Sequence, residues 1–214
     1  MLIASYNPAQ TGDVLVVILA ADSASQDFET KGNVTRIFDT QTQQTLGYNF
    51  FDISQIVSDL NGVGQVFLQE KAVAKLNQTL QQVGFKAELM VDDTPKFVVG
   101  FVQELIEHPD SDHLHIAQVQ IDNGQVVQIV CGAPNIELNQ RVVVAKPGAM
   151  MPNGTLIWPG ELRGIASAGM ICSARELALP NAPQKRGILV LPTDYEIGVA
   201  FDFQKASRLF VTGD

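Results

Sequence analysis

Residues 115–130, HIAQVQIDNGQVVQIV, read as two strands of alternating apolar character on either side of an Asn-Gly dipeptide. Asn123 and Gly124 can both adopt the positive φ angles that a type I′ turn requires, so this stretch predicts a β-hairpin. Further strand-like runs lie around it: FVVGFVQEL at 97–105, RVVVAK at 141–146 and GILVLP at 187–192. Gly, Pro, Asn and Asp separate them, and only ARELAL at 174–179 has a helical look. Many short strands punctuated by turn residues predict a barrel or sandwich.

Upstream the texture differs. DDTPK, residues 92–96, is polar, contains Pro95 and reads as a short linker. It divides the chain into an α+β domain over 1–91 and a β domain over 92–214. In the front part LIASY and DVLVVILA predict strands, and NVTRIFD with QTLGYNFFDI predicts a hairpin around Asp39–Gln44. A short helix is expected over Ser54–Leu60, ending at Asn61 and Gly62. A longer one is expected over Val66–Val83, where Val66, Leu68, Val73, Leu76, Leu80 and Val83 fall near helical spacing before Gly84 as a C-cap. FKAELMV then predicts a closing strand.

The 214 residues are 46% hydrophobic and 17% charged, with 17 Gly and 10 Pro, a globular composition. The longest apolar run, Val14–Ala21, is far shorter than the roughly 20 residues of a membrane-spanning helix, so no membrane association is expected. MLIASYNPAQ has neither a basic n-region nor a cleavage site, and the two cysteines, Cys131 and Cys172, suit reduced thiols; together these predict a cytoplasmic protein. Net charge is −9, with −5 up to Lys96 and −4 beyond it. Neither part has the basic footprint usual for binders of nucleic acid.

Catalytic chemistry finds no foothold. GxSxG, P-loop, GxGxxG and HExxH patterns are absent, and neither cysteine has a CxxC neighbour. His108-Pro109-Asp110-Ser111-Asp112-His113-Leu114-His115 superficially suggests a metal site, but ligand sets usually come from two separated elements, and a proline-bearing turn explains the cluster better. No metal, no cofactor and no enzymatic activity are expected. CGAPN at 131–135, KPGAMMPNG at 146–154 and ELRGIASAGMICSARELAL at 161–179 are more informative. Their glycines permit sharp turns or close backbone approach, while Asn135, Lys146, Arg163, Ser167 and Ser173 supply donors between them, a mixture suited to phosphate and ribose.

Those motifs, in this order and together with FVVGFVQELIEHPDSDHLHIAQVQIDNG and GILVLPTDYEIG, resemble the tRNA-binding domain at the amino end of the phenylalanyl-tRNA synthetase β subunit. The resemblance covers nearly all of 97–202. With its α+β front end, the whole chain is similar to the small bacterial YtpR-type proteins. The resemblance implies a five-stranded oligonucleotide-binding (OB) barrel that holds nucleic acid through one face and its loops. It implies tRNA as partner and an RNA-binding set of Asn135, Lys146, Arg163, Gly164, Ser167, Gly169, Met170 and Ser173. His113 stands where the family often has a fixed cation, and at neutral pH an unperturbed His is mostly uncharged. Trp158, the single tryptophan, is expected in a surface loop. The competing reading is a protein-interaction or homodimerisation module on the same barrel, for which an acidic surface is comfortable.

Overall fold

The computed structural model describes residues 1–60 and 62–211. The chain divides into two compact units, Met1–Thr94 and Pro95–Asp214.

The first unit runs β1 (Ile3–Tyr6), α1 (Pro8–Thr11), β2 (Val14–Ile18), β3 (Gln26–Lys31), β4 (Val34–Asp39), β5 (Thr45–Phe51), α2 (Ile53–Ile56), β6 (Gly64–Val66) and α3 (Glu70–Gln82). Its six strands form one antiparallel sheet in the order β3-β4-β5-β2-β1-β6. The expected hairpin is β4–β5. Asp39 fixes its turn by accepting from the N–H groups of Gln41 and Thr42 at 2.9 and 2.7 Å and from the hydroxyls of Thr42 and Ser23. Val73, Leu76 and Leu80 of α3 are buried in a core with Leu15, Val17, Tyr48 and Phe50 of the sheet.

The long helix starts later than expected, because Gly64–Val66 pairs with β1 as an edge strand. Its end is as expected: Gly84 takes φ 81°, Gly84 N–H donates to Gln81 O at 3.1 Å and Phe85 N–H to Leu80 O at 2.8 Å. That is a Schellman cap, with Leu80 and Phe85 sharing the core. The expected helix over Ser54–Leu60 shrinks to the single turn of α2, since Val57 is already extended; Asn61 lies outside the described residues. FKAELMV is no strand. A side chain takes the place of a strand partner there: Asn77 Nδ2 donates to Leu89 O at 2.8 Å and its Oδ1 accepts from Leu89 N–H at 3.0 Å. The edge strand β3 has no apolar alternation and was not expected; most of its residues are exposed.

The second unit contains β7 (Phe97–Glu107), β8 (His115–Gln120), β9 (Val126–Cys131), β10 (Arg141–Ala145), β11 (Gly160–Leu162), β12 (Ile165–Ser167), β13 (Met170–Ile171), β14 (Val190–Leu191) and α4 (Phe203–Ala206). Five strands pair in the order β13-β10-β7-β8-β9 and curl into a nearly closed barrel. Long β7 makes the corner, pairing with β10 through Phe97–Phe101 and with β8 through Phe101–Glu107, with a bulge between Val102 and Glu104. At that corner Gly100 is required, because a Cβ would stand 2.7 Å from both Val119 Cγ1 and Val144 Cγ2. The gap between β9 and β13 is bridged where Ala168 N–H donates to Gln128 O at 2.8 Å.

The expected hairpin joins β8 and β9: Asn123 and Gly124 take φ 57° and 68°, and Gln125 N–H closes the turn on Asp122 O at 3.2 Å. Val98, Val102, Val142 and Val144 fill the barrel, while Val99, Val143 and Ala145 of the same strands pack outward into a second cluster with Leu189, Tyr195 and Phe201. Burial on both faces explains why RVVVA is continuously apolar rather than alternating. ARELAL does not form a helix. It makes one helical turn that stops where Ala178 takes φ 51° ahead of Pro180.

Candidate nucleic-acid interface

Most of the expected contact residues have structural partners. Asn135 clamps the loop after β9 to the segment before β14: Nδ2 donates to Ile188 O at 3.0 Å and Oδ1 accepts from Ile188 N–H at 2.8 Å. Lys146 Nζ lies 2.9 and 2.8 Å from the two carboxylate oxygens of Asp122, with side-chain exposures of 14% and 15%. Ser167 is buried, accepting from Val130 N–H at 3.1 Å and donating to Gly169 O at 3.3 Å. Gly169 takes φ 131°, and a Cβ there would meet Ala145 O at 2.7 Å. Met170, in β13, packs against the outer cluster. Ser173 and Glu176 form a capping box: Glu176 Oε2 accepts from Ser173 N–H at 2.7 Å and Ser173 Oγ accepts from Glu176 N–H at 3.2 Å.

Arg163 and Gly164 form the two-residue tip of the β11–β12 hairpin, with φ 48° and 78°. A left-handed Arg costs about 1 kcal/mol or more, which its neighbours must offset. Arg163 Nη1 donates to Asp110 O at 2.6 Å. Beneath it the histidine-rich turn acts as scaffold. Asp110 N–H donates to Nδ1 of buried His108 at 3.1 Å, so Nε2 carries the proton and donates to Leu162 O at 3.2 Å. Ile165 packs on Leu114, Ile116 and Val130, which seats the hairpin on the barrel. Exposed His113 pairs with Asp112 at 2.8 Å; the hydrogen bond from His113, with the charges of His113 and Arg163 nearby, holds the Asp112 carboxyl below its ordinary value. Among the described residues no three or more His, Cys, Asp or Glu side chains gather as a metal site. Trp158 is half-buried.

Three cations that sequence reasoning overlooked stand at the meeting point of these loops. Arg175, Lys185 and Arg186 are exposed, and among the described residues their side chains make no hydrogen bond or ion pair. They line two adjoining clefts of about 240 and 200 Å³ that share Ser173, Arg175, Arg186, Gly187 and Ile188. The larger is walled by Gly132, Ala133 and Pro134 of the CGAPN loop and by Met170. A readable signal was available: Lys185-Arg186 is the only pair of adjacent cations in the chain. Glu176, the carboxylate at this spot, is committed to Ser173 N–H. Burial pushes the Cys131 thiol up, and burial with the nearby Glu176 charge pushes Cys172 up to about 12, so neither is a poised nucleophile. The arrangement offers fixed cations and a shaped backbone, a surface for phosphate oxygens rather than for covalent chemistry.

Barrel and signature loops together define the class: an OB-barrel domain of the tRNA-binding type behind an antiparallel α+β unit. A family model described as "Putative tRNA binding domain" matches residues 97–200, and one described as "Domain of unknown function (DUF4479)" matches residues 21–92. The "Putative tRNA-binding protein YtpR" of Bacillus subtilis (strain 168) is 45% identical over 201 residues, covering 94% of this chain and 99% of that protein. The chain belongs to the YtpR family. Phenylalanine–tRNA ligase β subunits from Staphylococcus haemolyticus and Dechloromonas aromatica are 41% and 40% identical over 59% of this chain, which spans only 17% and 16% of their lengths. Among solved structures, the C-terminal domain of Plasmodium vivax p43 is 22% identical over 50% of this chain and 61% of its own, with a TM-score of 0.36, too low to bear on the fold. No helix among the described residues is long and apolar enough to cross a membrane.

Proposed function

We propose that this chain is a non-catalytic tRNA-binding protein of the cytoplasm that holds folded RNA on its barrel, with Arg175, Lys185 and Arg186 as the principal phosphate contacts. The observation that carries the reading is their location: three unpartnered cations on two adjoining clefts, Arg175 and Arg186 facing the CGAPN loop and Met170, in a chain whose net charge is −9. Arg163 is a further contact at the hairpin tip. Asn135, Lys146, Ser167 and Ser173 shape the surface and leave direct contact to others, since their side-chain polar groups are occupied within the barrel, and Gly169 shapes it through its φ of 131°. With about three or four phosphate contacts, binding is modest and falls roughly 20- to 100-fold between about 50 and 200 mM salt. Relatives named for tRNA binding support the choice of RNA over other polyanions.

The test is the combined variant Arg175→Gln, Lys185→Gln, Arg186→Gln, titrated into labelled tRNA. All three side chains are exposed, so the fold is retained. Affinity at about 50 mM salt drops at least tenfold and the salt dependence flattens. Unchanged affinity would assign the RNA to another face.

A further inference from the structure

The first unit contains a cleft of about 640 Å³ that the RNA reading does not use. Within Met1–Thr94 there are five cations and eleven carboxylates, yet the cleft gathers three of the former, Lys31, Arg36 and Lys86, and only two of the latter, Glu29 and Glu88. In an acidic unit this is a locally positive spot. We propose that it is a binding site for a small amphipathic molecule carrying an oxyanion, a phosphate or a carboxylate, gripped at Arg36.

Arg36 is held ready for that work. Its guanidinium stacks 4.9 Å from the Phe38 ring centre, Nε donates to Thr45 Oγ at 2.9 Å, and one Nη donates to Gln43 O at 2.6 Å. Gln43 presents that carbonyl from a left-handed backbone, φ 62°, in the turn that Asp39 pins. Nη1 makes no hydrogen bond among the described residues, which leaves a pre-oriented donor edge for an oxyanion beside Glu88. Lys31 lies over the Phe85 ring at 4.5 Å with Glu29 at 2.9 Å, and Lys86 is 80% exposed at the rim.

The rest of the wall sets the ligand's other groups. Burial pushes the Glu88 carboxyl up, and hydrogen bonds from Thr45 and from Tyr48, at 2.7 Å, together with the charges of Lys86 and Arg36 beside it, more than reverse it. Glu88 therefore stays anionic and accepts from a hydroxyl or amine of the ligand. Leu19 and the exposed Met90 supply apolar surface. The volume falls in the range of small-molecule sites and is far larger than a bare ion requires.

Calorimetric titration of the full chain with inorganic phosphate, adenosine 5′-monophosphate and glutamate tests the site. Saturable binding is expected for at least one probe with Kd below about 1 mM, and adenosine 5′-monophosphate binds more tightly than inorganic phosphate if the oxyanion is a phosphate. Glutamate binding alone assigns a carboxylate. Arg36→Gln weakens binding at least tenfold, and so does Lys86→Glu, whose exposed position leaves folding intact, whereas Lys71→Gln, at an exposed cation of α3 outside the cleft, has no effect. Two outcomes overturn the proposal: no binding of any probe at about 10 mM, or binding that is lost in Arg186→Gln and retained in Lys86→Glu.

Discussion

Lys146 and Arg186 are both cations on loops of one barrel, and their surroundings give them different work. Lys146 and Asp122 are paired at 2.8 Å with little exposure, so removing one leaves the other buried and uncompensated. Lys146→Ala should cost about 3 kcal/mol in urea unfolding, while tRNA affinity measured on the folded protein stays within about twofold. Arg186→Gln should do the reverse, weakening tRNA binding without a change in stability. Ser167→Ala strips the acceptor from buried Val130 N–H and should cost roughly 1–2 kcal/mol by the same measurement. The residue scale also shows what a motif can hide. Asn135, Ser167 and Ser173 stand out as donors within motifs that carry the family resemblance, but whether a donor faces solvent or another segment depends on partners up to 53 positions away, as for Asn135 and Ile188. The loops were legible; the direction of each side chain was not.

At the scale of elements, the Asn123-Gly124 hairpin was legible because its backbone angles follow from two adjacent residues. The Arg163-Gly164 hairpin was not, because Arg disfavours the left-handed region and tertiary contacts from His108, Asp110 and Ile165 impose it. Arg163→Gly should therefore keep the turn and remove only the guanidinium, giving an unchanged or slightly higher melting temperature together with a severalfold loss of tRNA affinity. FKAELMV misled for a related reason, since the Asn77 clamp extends the chain without a strand partner. The turn between β4 and β5 carries an acid response. Hydrogen bonds, that from Ser23 first, hold the Asp39 carboxyl at about 2, against an ordinary 3.8. Its stabilisation is complete above the ordinary value and is lost as pH falls through about 2. Thermal melts across that window should lose stability in the native protein and lose less in Asp39→Asn.

For the whole molecule, a net charge of −9 and RNA binding are compatible when the few unpaired cations are concentrated rather than spread. Composition alone reported the sum and missed the distribution. The α+β character of the first part and the barrel of the second were legible from a change of pattern along the chain, because periodicity and turn chemistry are local properties. The closing of the barrel and the meeting of residues 131–134 with 175 and 186 depend on long-range pairing that no local pattern encodes.

The central claim is tested most directly by titrating the intact protein into labelled mixed tRNA at about 50 and 200 mM salt, with duplex DNA and unstructured RNA of equal length as competitors. The account predicts micromolar or tighter binding at low salt, a preference for tRNA over both competitors, and the salt-dependent weakening expected of a few phosphate contacts. Absence of binding at low salt, or displacement of tRNA by duplex DNA and unstructured RNA as readily as by tRNA itself, would contradict it and point to a protein partner for the same barrel surface.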